Sequence, residues 1–130
     1  MITIYGIRNC DTVKKSLKWF DDRHIAYHFH DFKKQGLDEP TLNDWLERFG
    51  WEKLINRQGT TWRKLALTAE AMADPGQARA IILQNLSLIR RPLVLHSEIG
   101  ALVIGFEPAL WIDVAGVNSL ADFSGLSFNT

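Results

Sequence analysis

Ile2-Thr3-Ile4-Tyr5-Gly6-Ile7-Arg8-Asn9-Cys10-Asp11-Thr12-Val13-Lys14-Lys15 opens the chain with a change of period. Residues 2–5 form a short apolar run of β character. From residue 13 onward Val13, Leu17 and Phe20 recur at helical spacing while Lys14, Lys15 and Lys18 fall elsewhere on the wheel, so residues 11–23 predict a helix with one apolar stripe. Such a helix needs a sheet to pack against. Ile25 to Asp31 supplies the next strand, alternating Ile25, Tyr27 and Phe29 with Ala26, His28 and His30. Two strands joined by a helix predict a βαβ unit with parallel strands, and hence an α/β fold.

Cys10 is the only cysteine, and it stands at the strand-to-helix junction. A sulfur at the start of a helix meets backbone N–H groups that have no helical acceptor and the positive end of the helix dipole, both of which favour the thiolate. The competing reading is a small buried hydrophobe, since free cysteines are often inert core residues. Asp11 next to it disfavours the anion by proximity and stabilises the first helical turn, so its net effect on Cys10 stays open. Thr12 either donates a hydroxyl to the sulfur or helps the first turn, and Asn9 either caps the helix or orients a ligand.

The composition excludes several classes of function. The chain has 130 residues, 46% of them hydrophobic and 23% charged, enough to bury one core and unlike a disordered polymer. Fifteen basic and fifteen acidic side chains cancel, so no global field draws the protein to nucleic acid or an anionic membrane. The first residues lack the pattern of a secretory signal and no apolar run is long enough to span a bilayer, which points to a cytoplasmic location. A single cysteine rules out an internal disulfide and an all-cysteine zinc site, and His28 and His30 on one strand face are a weak signal for a metal; no metal is expected.

The middle of the chain reads as helical. Asp38-Glu39-Pro40-Thr41 combines a capping residue with an early proline, Leu42, Trp45, Leu46 and Phe49 follow at helical spacing, and Gly50 closes the segment. Thr68 predicts a short helix to about Ala73, and Asp74-Pro75-Gly76-Gln77 predicts another that carries Ala78, Ile81, Ile82 and Leu86. The apolar runs at residues 92–96 and 101–105, separated by Ser97-Glu98-Ile99-Gly100, predict an antiparallel hairpin. Glu107 to about Asp113 predicts a last short helix, and residues 114–130 read as a loosely ordered tail. The five tryptophans, Trp19, Trp45, Trp51, Trp62 and Trp111, are expected mainly in the core, with Trp62 a candidate wall for a pocket.

Three segments carry a resemblance to a known family: Tyr5-Gly6-Ile7-Arg8-Asn9-Cys10-Asp11-Thr12-Val13-Lys14-Lys15, Asn56-Arg57-Gln58-Gly59-Thr60-Thr61-Trp62-Arg63, and Arg91-Pro92 ahead of the hairpin. In that order and at those separations, residues 1 to about 112 resemble the arsenate reductase and Spx family, and within it the YffB-like branch of glutathione-dependent thiol reductases. The resemblance implies a thioredoxin-like fold. It would place a four-stranded mixed sheet in a single domain over residues 1–113, with a helical insertion at about 38–90 between the second and third strands.

The resemblance also implies roles for individual residues. Cys10 matches the nucleophile, Arg57 and Arg91 match two oxyanion-binding arginines, Pro92 matches the cis proline near the thiol, and Asn9 and Thr12 belong to the same candidate binding set. A third family arginine lies at the second hairpin strand, where Ala101-Leu102-Val103-Ile104-Gly105-Phe106 offers no cation, which counts against arsenate as the natural substrate. The C-x-x-C switch of many Spx regulators is also missing, because Val13 stands three residues after Cys10. A monothiol oxidoreductase is thus expected, with no tightly bound cofactor, glutathione as cosubstrate, and a mixed disulfide or small oxidised anion as substrate. The alternative is an Spx-like regulatory module that contacts the RNA polymerase α subunit without catalysis.

Overall fold

The computed structural model describes residues 1–116, and the expected loose tail beyond them lies outside the described residues. In chain order the elements are β1 (Ile2–Gly6), α1 (Asp11–Asp22), β2 (His28–Asp31), α2 (Phe32–Gln35), α3 (Glu39–Phe49), α4 (Trp51–Leu54), α5 (Thr60–Lys64), α6 (Pro75–Gln84), a 3-10 turn (Leu86–Leu88), β3 (Leu93–His96), β4 (Ala101–Ile104) and α7 (Pro108–Ala115). They form two compact units, one made of Met1–Asp31 with residues 91–116, the other of Phe32–Arg90.

The first unit holds a four-stranded mixed sheet in the order β2-β1-β3-β4, the thioredoxin-like arrangement. β1 and β2 run parallel, as the intervening helix requires, and β3 is antiparallel to both β1 and β4. Strand alternation decides which side chains reach the core. Ile4 sits opposite Phe29 and Val94, and Val94 opposite Val103, so these residues share one face. Trp19 and Phe20 of α1 and Trp111 and Val114 of α7 join the same core cluster. The Trp111 indole is fully buried, with ring centroids 5.4 Å from Trp19, 5.2 Å from Phe20 and 5.1 Å from Phe106. Each tilted or edge-on pair adds about 0.5–1.5 kcal/mol beyond the area it buries.

Two boundaries in this unit differ from the sequence expectation. The second strand begins at His28 rather than residue 25, because the Ile25 N–H turns back to the Phe20 carbonyl at 3.1 Å after His24 adopts φ 56°. Ile25 and Tyr27 still pack against the core, which explains their apolar pattern. The last helix runs past Asp113 to Ala115, and Val114, expected in the tail, is fully buried.

The second unit is helical. Pro40 lies in the first turn of α3, which buries Leu42 and Trp45, and Gly50 at φ 77° ends α3 and starts α4. The Asp74 carboxylate accepts the Gln77 N–H at 2.9 Å and caps α6, with Pro75 in its first turn. The helix expected at residues 68–73 is instead a run of turns, closed by Ala71, Met72 and Ala73 N–H groups each donating three residues back. Pro75 disfavours helical backbone at Asp74 and so stops any continuation into α6. The one-turn helices α2, α4 and α5 have no signature in the sequence, because four or five residues are too few to display a period. Among the described residues no helix is long and apolar enough to cross a membrane.

Candidate active site

The strand register collects the candidate residues of the first unit at one end of its sheet. Tyr5 pairs with Leu93 and Leu93 with Ile104, so the end of β1, the start of β3 and the end of β4 are level. The loop from Ile7 to Cys10 therefore leaves the sheet beside the point where Arg91 and Pro92 enter it. The Gly105 N–H donates to the Pro92 carbonyl at 2.8 Å and ties β4 to the same end. Gly6 permits the close approach of α1: a Cβ there would stand 2.8 Å from Val13 Cγ2.

Cys10 is the N-cap of α1, with extended backbone at φ −143° and ψ 122°, and its carbonyl accepts the Lys14 N–H at 2.9 Å. Its side chain is half-buried. That burial pushes the thiol up. The Val13 N–H, the Arg91 guanidinium acting both as donor and as charge, and the Thr12 N–H pull it down, and together they prevail, so the thiol lies below its ordinary range. Thr12 and Val13 are the second and third residues of the helix, whose N–H groups have no helical acceptor; the Cys10 side chain makes no capping hydrogen bond, and these groups favour its anion without one. Val13 enters the site through its backbone, a role its apolar side chain conceals. The helix register was the signal that could have found it.

The remaining candidates of this unit divide by role. The Arg91–Pro92 peptide is cis, as the family resemblance implied, and Pro92 is buried while Arg91 is half-buried. Thr12 acts on the sulfur through its N–H, and its carbonyl accepts the Ser16 hydroxyl at 2.6 Å. Asn9 is exposed and does not occupy the N-cap, which belongs to Cys10. Asp11 lies in the first turn of α1 and is not among the groups that move the thiol.

Arg57 belongs to the second unit. An antiparallel bridge between Ile55 and Ile89, with the Asn56 N–H donating to the Leu88 carbonyl at 2.8 Å, anchors the chain just before it. The Asn56 side-chain oxygen then accepts the Gln58 N–H at 3.1 Å and turns the segment into α5. Arg57 is exposed, and its guanidinium lies over the Trp51 ring at 5.4 Å. Trp51 in turn stacks on Trp62 at 6.0 Å with the planes 4° apart. These two tryptophans are half-buried, whereas Trp19, Trp45 and Trp111 are core. A cavity of about 200 Å³ in this unit is lined by Leu46, Gly50, Trp51, Met72, Ala73, Pro75 and Ala78, which offer no titratable group. Among the described residues no cluster of three or more His, Cys, Asp or Glu is placed to hold a metal ion.

The sequence matches the ArsC family over residues 5–113, a span that takes in Cys10, the Asn56–Arg63 segment and Arg91-Pro92. This chain belongs to the ArsC family. An uncharacterised protein of Haemophilus influenzae is 43% identical to this ArsC-family chain over 107 residues, covering 82% of it and 92% of the relative. The structure of the YFFB protein superposes with a TM-score of 0.76 at 36% identity, over 89% of this chain and all of that one. An arsenate reductase (ArsC) related protein of Brucella melitensis superposes with a TM-score of 0.68 at 45% identity, over 85% of this chain and 90% of the other. The ArsC membership and these likenesses support a thiol-based reductase in general terms.

Proposed function

We propose that this ArsC-family protein is a monothiol reductase that uses Cys10 as nucleophile and glutathione as the resolving thiol. One observation carries the reading: Cys10 sits at the N-cap of α1 with the Val13 and Thr12 N–H groups and the Arg91 guanidinium favouring its thiolate. On a glutathione mixed disulfide the Cys10 thiolate attacks the glutathione sulfur. A Cys10–glutathione disulfide forms, the original S–S bond breaks, and the substrate leaves as a thiolate that takes up a proton. A second glutathione thiolate then attacks the glutathione sulfur of the adduct, releasing oxidised glutathione and the Cys10 thiolate. One mixed disulfide and one reduced glutathione thus become the substrate thiol and one oxidised glutathione.

The remaining residues serve recognition in this reading. No second cysteine exists to resolve the adduct, so the electrons must come from an external thiol. Glutathione carries two carboxylates, and Arg91, beside the thiol, is a planar donor suited to one of them. Charge-assisted bonds of this kind contribute about 1.5–3 kcal/mol each when shielded from water. A small oxidised anion is the other substrate class that such donors fit, and the cytoplasm is the compartment in which glutathione is supplied reduced.

The test is chemical. Near pH 6 the protein should be alkylated at Cys10 faster than free glutathione, and incubation with oxidised glutathione should add one glutathione to the intact mass. The Cys10→Ser variant should show neither. A thiol no faster than glutathione, with no adduct, would sink the proposal.

A further inference from the structure

Two cations flank the Cys10 end of the first unit and are held by aromatic rings. The Arg8 guanidinium, two residues before Cys10, lies over the Phe29 ring at 4.7 Å. Lys15 Nζ, one turn beyond the start of α1, lies over the Phe106 ring at 4.3 Å. Phe106 follows β4 by two residues, at the end that the Tyr5, Leu93 and Ile104 register makes level with the Cys10 loop. The other cations divide: Lys18 pairs with Asp22, Arg48 with Asp44 and Arg79 with Glu39, whereas Arg23, Lys53 and Arg57 also lie over rings, so what sets Arg8 and Lys15 apart is their place beside Cys10 in the first unit. Among the described residues neither Arg8 nor Lys15 makes an ion pair.

The physical difference matters. A carboxylate neutralises a cation, whereas a ring face holds it in place and leaves its charge available to a ligand. Counting Lys14 in the first turn of α1 and Arg91 ahead of β3, the segments at this end carry four cations against three carboxylates, Asp11, Asp31 and Glu107, and of these Asp31 is buried. The balance around Cys10 is positive in a chain whose formal charge is zero.

We infer that Arg8 and Lys15 are specificity-determining residues that make Cys10 select anionic disulfides over neutral and cationic ones. The inference rests on Cys10 being the reactive thiol proposed above and adds the substrate's charge class. In the exchange, the Cys10 thiolate bonds to one sulfur of the disulfide, that S–S bond breaks, and the other half departs as thiolate with the electron pair. Phe29 and Phe106 are positioning residues in this scheme, because they aim the two cations without touching the substrate.

The experiment measures the rate of mixed-disulfide formation at Cys10 with three probes: oxidised glutathione (anionic), hydroxyethyl disulfide (neutral) and cystamine (cationic). The expected order for the wild type, each rate divided by that of the same probe with a free small thiol, is oxidised glutathione above hydroxyethyl disulfide above cystamine. The Arg8→Gln/Lys15→Gln double variant should lower the ratio of the first rate to the second by about three- to tenfold, the range expected for two partly screened charges. Raising ionic strength should move the wild-type ratio the same way. A Phe106→Leu variant should give part of the Lys15 effect, and Phe106→Tyr should restore it. A reactive Cys10 with no charge preference, or a preference that the double variant and salt leave untouched, overturns this inference alone. An inert Cys10 overturns it together with the reductase reading.

Discussion

The guanidinium of Arg91 bears on the sulfur of Cys10 both as a hydrogen-bond donor and as a charge, across 80 residues of intervening sequence that the sheet brings together. Neither residue is fully buried, so the pair is set by geometry at the end of β1 and the start of β3 rather than by enclosure. Removing either partner should therefore change chemistry more than stability.

Replacing Arg91 by Ala removes a donor and a charge that favour the thiolate and leaves burial, which opposes it. Alkylation of Cys10 near pH 6 should slow by about tenfold, the range of one lost charge contact. Arg91→Lys should recover part of the rate through charge alone. At pH values above the ordinary thiol range both proteins are thiolate and the gap should close. A pH–rate profile with iodoacetamide tests this, and unchanged profiles would refute it.

A thiol lowered on folding also links stability to pH. The folded protein loses the Cys10 proton more readily than the unfolded chain does, so the contribution is absent below the folded value, grows as pH rises between the two, and is fully present above the unfolded value of about 8.5. Wild type should gain on Cys10→Ser between pH 6 and pH 9.5. Urea midpoints at the two pH values, compared between the proteins, provide the measurement, and the gain should be small because the side chain is only half-buried.

Gly6→Ala should damage the site from behind. The added Cβ would stand 2.8 and 3.2 Å from the two Val13 methyls, and a β-branched side chain in a helix has one favoured rotamer and little room to yield. A cost of about 1–3 kcal/mol in urea unfolding is expected, typical of overpacking. Cys10 alkylation should slow as well, because α1 must move and carries the Val13 N–H with it. Coupling Gly6→Ala to Val13→Ala should return the alkylation rate toward wild type.

In the helical unit, Asp74→Ala deletes the side-chain cap of α6 and leaves the Gln77 N–H without its 2.9 Å acceptor. The expected loss is about 0.5–2 kcal/mol. Asp74→Asn or Asp74→Ser should retain most of the stability. Thermal or urea unfolding of the three variants decides the point, and equal midpoints for Ala and Asn would dismiss the cap.

Much of the fold was legible because period reports local structure. The stripe of Val13, Leu17 and Phe20, the cap at Asp74-Pro75 and the two apolar runs either side of Gly100 each predicted an element that the structure contains. Where segments are short, local signals fail: residues 68–73 form turns, and α2, α4 and α5 carry no readable period. Residues 25–27 misled for another reason, since Ile25 and Tyr27 are apolar for packing and not for pairing.

By itself the sequence determined that Cys10 opens a helix after a strand, that no second cysteine can resolve it, and that Arg91-Pro92 precedes a hairpin. These are matters of adjacency and count, which a chain states directly. Only tertiary structure decided that Arg91 bears on Cys10, that Arg8 lies on Phe29 and that Lys15 lies on Phe106. Those relationships arise from strand register and helix approach, where residues far apart in sequence become neighbours through hydrogen bonding and close packing that no local pattern encodes.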